Sequence, residues 1–120
     1  MKEAAKRMRE ALLAAGISAY APGAHPDQCR APYAVVRQNG LYATEISRRL
    51  CYALIQVHLY VPLDAYETLP ALEASAREAL RGLASQVRPT GHVTADMIEE
   101  DYRAHTRAIE YMVLKPQMHS

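Results

Sequence analysis

Apolar residues occupy every second position in the stretch from Leu50 to Val61, LCYALIQVHLYV. The odd positions are all apolar and the even positions are mixed; the odd ones are Cys51, Ala53, Ile55, Val57, Leu59 and Val61. A period of two over this length predicts a long β-strand with one face on a core. Pro62 ends the predicted strand, because proline cannot donate a hydrogen bond to a sheet ladder.

Two segments have the three- and four-residue spacing of apolar positions that is typical of an amphipathic helix. The first covers residues 2–15, and Gly16 is suited to the left-handed position that closes it. The second runs from Asp64, a candidate N-cap, to residue 84. Pro70 would kink a helix that began much earlier, so we expect the helix proper to start near Leu69.

The remaining segments are predicted as short strands and connections. Residues 33–38 indicate a strand paired antiparallel with the long one, and Asn39-Gly40 is a turn signal. Residues 41–49 are either a second hairpin arm or a loop. Residues 92–101 and 106–115 predict a C-terminal hairpin.

Three further segments are predicted to lack regular structure. Residues 18–32 contain three prolines and a glycine, which predicts a long loop, and such loops are usually functional or mobile. Residues 85–91 are expected to be a connection, and residues 116–120 a frayed tail.

The order helix–β–β–helix–β–β predicts an α+β fold in one domain, residues 1–120. We expect a four-stranded, mainly antiparallel sheet with both helices packed on one face. The opposite face would present Tyr52, Gln56, His58 and Tyr60. That face is too apolar for water alone and too polar for a second core, which favours a bound partner.

Composition narrows the function without assigning one. The chain has 120 residues and a formal net charge of +1, so it has no broad basic field for specific nucleic-acid binding. No apolar run approaches the roughly 20 residues that span a bilayer, and the charged N-terminus is not a secretory signal. We expect Cys29 and Cys51 to be free thiols in a reducing cytoplasm. All eight aromatics are tyrosines, which suit sheet margins or an interface.

No motif in the chain indicates catalysis, a cofactor or a metal. The five histidines share no metal-ligand spacing. Neither GxSxG nor CxxC occurs, and no glycine-rich phosphate cradle is present. The sequence therefore predicts a protein that is not an enzyme and has no cofactor. It predicts that His58 is a polar residue on the exposed face of the sheet.

Acidic residues cluster at Asp96, Glu99, Glu100 and Asp101. The cluster is either a solvated hairpin end or an acidic patch that meets Arg48 and Arg49 of a neighbouring copy. Contact between two different patches of identical subunits closes into a ring. A phosphate contact is the rival interpretation of the arginine pair. The candidate interface residues are Arg48, Arg49, Tyr52, His58, Tyr60, Asp96, Glu99, Glu100 and Asp101.

The layout resembles the minor tail and neck proteins of long-tailed phages and prophages, most of all the tail terminator (tail completion) family. The segments that carry the resemblance are AAGI, PYAVVRQNG, DAYETLPALEASAREALRGL and DYRAHTRAIEYMVLKP. The chain lacks Phe and Trp, which leaves a neighbouring head–tail joining protein as an alternative within this class.

The resemblance implies a structural virion protein that is assembled in the bacterial host cytoplasm. It would form a homo-oligomeric ring, commonly a hexamer, that caps the tail tube and contacts the tail tube protein and the head connector. The family has no catalytic motif from which residues could be transferred. Two other classes stay open: a small adaptor or regulatory domain that binds another protein through the exposed sheet face, and an enzyme of unrecognised type.

Overall fold

The computed structural model describes residues 2–41 and 51–114, with side chains described for 4–38 and 53–114. The elements in chain order are α1 (Lys2–Ala14), β1 (Ala19–Tyr20), β2 (Tyr33–Leu41), β3 (Cys51–Pro62), α2 (Leu69–Leu80), β4 (Val87–Val93), β5 (Met97–Glu99) and β6 (Ala104–Leu114). The expected frayed tail at 116–120 lies outside the described residues.

The described strands form a six-stranded mixed sheet in the order β1-β2-β3-β6-β4, with β5 also paired to β6. The predicted four-stranded sheet is therefore wrong, although the α+β class is correct. β1 pairs parallel with β2, and the other pairs are antiparallel. β1 was missed because two residues inside a proline-rich segment cannot show a periodicity.

The C-terminal hairpin is also divided differently from the prediction. β4 covers Val87–Val93, so it begins inside the predicted connection 85–91. The predicted strand 92–101 contains only the end of β4 and the short β5. Pro89 hid β4 in the sequence. An edge strand tolerates proline, because one side of its backbone needs no ladder hydrogen bonds.

The antiparallel pair of residues 33–38 with the long strand is confirmed, from Tyr33 opposite Tyr60 to Gln38 opposite Ile55. Asn39 and Gly40 do not form the predicted turn, because β2 continues to Leu41 after a register shift. Residues 42–50 lie outside the described part, so the alternatives for 41–49 stay open.

Both helices pack on one face of the sheet, as predicted. Met8 and Leu12 of α1 and Leu69 and Leu80 of α2 are buried there against the odd positions of β3. The positive φ of Gly16 (+86°) closes α1 and allows the Ile17 amide to bond the Leu12 carbonyl at 2.9 Å.

α2 begins at Leu69, as expected, after a 3-10 turn over Leu63–Thr68. The opposite face of the sheet, called the outer face below, is covered at one end by the loop between β1 and β2. This loop and the strand edges define the surfaces that matter for function.

Candidate interaction surfaces

Four tyrosines and a histidine form an aromatic cluster on the outer face: Tyr20, His25, Tyr33, Tyr60 and Tyr102. Tyr33 and Tyr60 are opposite each other on β2 and β3, so their rings stack with centroids 4.7 Å apart. The His25 ring meets the Tyr102 ring edge-on at 4.7 Å. The cluster therefore joins three strands, the loop and the turn before β6.

The loop between β1 and β2 is attached to the sheet rather than free of it. The Cys29 amide donates to the Tyr102 carbonyl at 2.7 Å, and the Tyr33 hydroxyl lies 3.2 Å from His25 Nδ1. A groove of about 540 Å³ remains between β1 and the loop, lined in part by Asp27 and Arg30. The predicted long loop is thus a docked cover for one end of the outer face.

Burial controls the ionisation of the cluster. Burial raises the pKa of the Tyr33 hydroxyl well above its ordinary value, and the neighbouring Cys29 and tyrosines raise it further. Burial also raises the pKa of the Cys29 thiol to about 11, although a hydrogen bond with the Ala31 backbone lowers it in part. Both groups are neutral at pH 7, which suits a packed interior.

Tyr60, predicted to lie on an exposed face, is only 8% exposed. Its ring is covered by Tyr33, His25 and Tyr102 of the same subunit. Burial raises the pKa of the Tyr60 hydroxyl, and the nearby Glu99 carboxylate raises it further. Tyr60 therefore contributes to the packing of its own subunit.

The other end of the outer face includes His58, which is half-buried. Its Nε2 lies 3.1 Å from Gln56 Oε1. Burial lowers the pKa of the His58 ring, and Arg37 lowers it further, so the ring is neutral at pH 7. The Tyr52 backbone belongs to β3, and its side chain lies outside the described residues.

Arg107 on β6 is the centre of a network of ion pairs and hydrogen bonds that links four segments of the chain. Its Nε donates to Asp96 Oδ1 at 2.6 Å and its Nη2 to Asp96 Oδ2 at 2.9 Å. Its Nη1 donates to Glu73 Oε1 of α2 at 2.7 Å, and Glu73 also accepts from Arg77. The Tyr66 hydroxyl donates to Asp96 as well.

The Arg107 network holds its carboxylates in the charged form. Hydrogen bonds from Arg107 and then Tyr66 lower the pKa of Asp96 to about 2. Burial of Glu73 raises its pKa, but hydrogen bonds from Arg107 and Arg77 outweigh burial and leave the pKa below its ordinary value. Asp96 is thus already paired inside the subunit.

The other three acidic candidates occupy different positions. Glu99 is half-buried at the end of β5, opposite Ala104 and near Tyr60. Glu100 and Asp101 are exposed in a 3-10 turn that follows β5 and ends at Arg103 in a left-handed conformation. Arg48 and Arg49, their proposed partners, lie outside the described residues.

β5 presents two aliphatic side chains to solvent, Met97 (55% exposed) and Ile98 (56% exposed). Ile98 is opposite His105, whose ring contacts the exposed Tyr66 ring with centroids 4.7 Å apart. His105 Nε2 also lies 3.1 Å from the carbonyl of Leu63, another exposed apolar residue. We call Met97, Ile98, Glu100 and Asp101 the β5 edge.

Sequence reasoning missed four residues that contribute to these surfaces. His25 was hidden because its partners are distant in sequence. Arg107 looked like any polar residue of a strand. Met97 and Ile98 did have a signal, since two adjacent aliphatic residues precede three acids in MIEED. That order is unusual for a hairpin end that faces only water.

No protein-family model matches the chain, and no curated protein matches it either. In the part of the chain that the structure describes, no three His, Cys, Asp or Glu side chains are grouped so that they could hold a metal ion. Within the same residues, no helix has the length and apolar character needed to cross a membrane.

Proposed function

We propose that the protein is a structural component of a phage or prophage tail or neck. It caps the tail tube, or joins the tail to the head connector, as an oligomeric ring. The proposal begins from the resemblance of the whole chain to tail terminators. The observation that supports it best is the exposed Met97–Ile98 pair on an edge strand.

An edge strand is a ready template for pairing with another chain, and proteins usually protect it with charges, proline or irregularity. β4 has such protection in Pro89, in Gly91 at a φ of +96°, and in a register shift. β5 instead exposes aliphatic side chains on both faces of the sheet. Adjacent exposed aliphatic residues next to charged ones are typical of an interface with another protein.

The two lateral edges of the sheet differ from each other. β1 forms one edge, and β4 with β5 forms the other. A contact between different surfaces of identical copies is head-to-tail, and it closes into a ring when the rotation allows. The described part of this subunit has the unequal edges that such a ring requires.

The experiment that tests this function measures assembly and tail joining together. Native mass spectrometry and negative-stain microscopy over a range of concentrations are expected to detect a closed ring, a hexamer if the resemblance holds. Added to purified tails that lack their terminator, the protein is expected to bind one end of the tube. A strict monomer at high concentration that leaves those tails unbound would contradict the proposal.

An adaptor domain that binds another protein through the outer face is the second candidate. It is favoured by the end of that face where Gln56 and His58 are half-buried and Arg37 is exposed. A strict monomer that does not bind tails would favour this candidate over the ring.

A further inference from the structure

We infer that the β5 edge of one copy docks on the N-terminal helix of the next copy, against a flank formed by Lys6, Arg9 and Leu13. The inference depends on the proposed ring and names its two contact surfaces. The partner is therefore a second copy of this chain, bound head-to-tail.

The helix surface combines positive charge with an exposed aliphatic side chain. Lys6, Arg9 and Leu13 follow one another at three- and four-residue steps, so they lie along one side of α1, where the exposed Glu10 leaves a net positive charge. Leu13 is 53% exposed. We call these three residues the basic flank.

The basic flank faces away from α2. On the opposite side of α1, the Arg7 guanidinium donates to Gln86 Oε1 at 2.8 Å, in the turn between α2 and β4. Ala4 and Ala11 on that side pack against the core. At 100° per residue, Lys6 and Arg9 therefore project toward the other flank of the helix.

That flank lies toward the β1 edge, because α1 packs on β1 and β2. The β5 edge lies at the other end of the strand order. The two surfaces are therefore on opposite sides of the subunit. A copy that uses its β5 edge for one neighbour still has its basic flank free for the next.

The two surfaces complement each other in chemistry as well as position. Leu13 would lie across the edge of β5, between Met97 on one face of the sheet and Ile98 on the other, which removes three exposed aliphatic side chains from water. Glu100 and Asp101 would face Lys6 and Arg9. Opposite charges around an apolar centre give orientation and exclude wrong registers more than they add affinity.

Charge reversal tests the pairing directly. The flank variant is Lys6→Glu with Arg9→Glu, and the edge variant is Glu100→Lys with Asp101→Lys. Each variant alone should need at least about tenfold more protein to assemble, because like charges then face each other across every contact. Circular dichroism should report little change in the thermal unfolding of the subunit, since Lys6, Glu100 and Asp101 are exposed and Arg9 is half-buried on the side of α1.

Mixing the variants gives the sharper result. Flank variant and edge variant combined in equal amounts should restore rings of alternating copies, because each contact again joins opposite charges. The chain with all four substitutions should also assemble. The matched control reverses the exposed surface pair Glu78→Lys and Arg81→Glu on and after α2, and it should assemble like the wild type.

The outcomes separate this contact from the proposed function. A wild-type ring with either variant assembling normally, or with no rescue on mixing, would overturn the contact and leave the ring proposal standing. Loss of the ring through Arg48→Glu with Arg49→Glu, while the flank variant assembles, would also overturn it. A wild-type protein that stays monomeric at high concentration would overturn both.

Discussion

The aromatic cluster and the β5 edge meet where Asp101 is followed by Tyr102, yet the two regions differ in which side chains they bury and which they expose. The cluster buries tyrosines, and the burial of each hydroxyl costs free energy unless it finds a hydrogen-bond partner. The β5 edge exposes Met97 and Ile98, which gain most from leaving water. The difference indicates that the cluster completes the subunit, whereas the edge is left for another chain.

Tyr60→Ala is expected to have the largest effect on the subunit. It removes a buried ring from the stack on Tyr33 and opens a cavity under His25, so the free energy of unfolding should fall by about 3–5 kcal/mol. Urea denaturation measures the loss. Tyr60→Phe keeps the ring and is the matched control, expected within about 1 kcal/mol of the wild type. A small effect of the alanine would mean that the cluster does not support the subunit.

Arg107→Met should have the next largest effect, at the boundary between the two regions. The change leaves Asp96 and Glu73 without their shared cation, and we expect a loss of about 2–3 kcal/mol in the free energy of unfolding. Denaturation of the variant measures it. Arg81→Met, which breaks an exposed pair with Glu78, is the control and should change little. If both variants lose the same free energy of unfolding, the Arg107 network stabilises the subunit no more than an exposed ion pair does.

The two regions also differ in how far the sequence predicts them. The alternation along β3 identified the core face because burial repeats every second residue, and the odd positions from Ala53 to Val61 are buried as expected. The cluster could not be predicted, because His25 reaches Tyr60 only after the loop folds back across the sheet. Local periodicity contains no information on such a long-range return. The acids between Asp96 and Asp101 were recognised, but their division into a paired and an exposed group depends on Arg107.

Lowering the pH should distinguish the Arg107 network from the exposed acidic residues. The expected change in stability is smaller than that of Arg107→Met. The folded-state pKa of Asp96 is about 2, below its ordinary value, so its contribution to stability is present at neutral pH and is lost as pH falls from about 4 toward 2. Glu73, whose pKa is also lowered, acts in the same direction. As the pH falls across this range, the thermal unfolding temperature should decrease less steeply for Asp96→Asn than for the wild type.

Glu100→Gln with Asp101→Gln is the control for that titration, because both side chains are exposed. This variant should follow the wild-type curve. An identical slope for Asp96→Asn and the wild type would show that Asp96 gains no stability from Arg107.

The smallest effect on the subunit is expected from Met97→Ser with Ile98→Thr. Both side chains are more than half exposed, so the free energy of unfolding should change by no more than about 0.5 kcal/mol. Ring assembly should nevertheless be lost at concentrations where the wild type assembles, because the apolar centre of the proposed contact is gone. Analytical ultracentrifugation beside urea denaturation measures both quantities on one sample. A folded variant that still forms rings would remove the β5 edge from the interface, and a variant that unfolds like Tyr60→Ala would assign the edge to the subunit's own core.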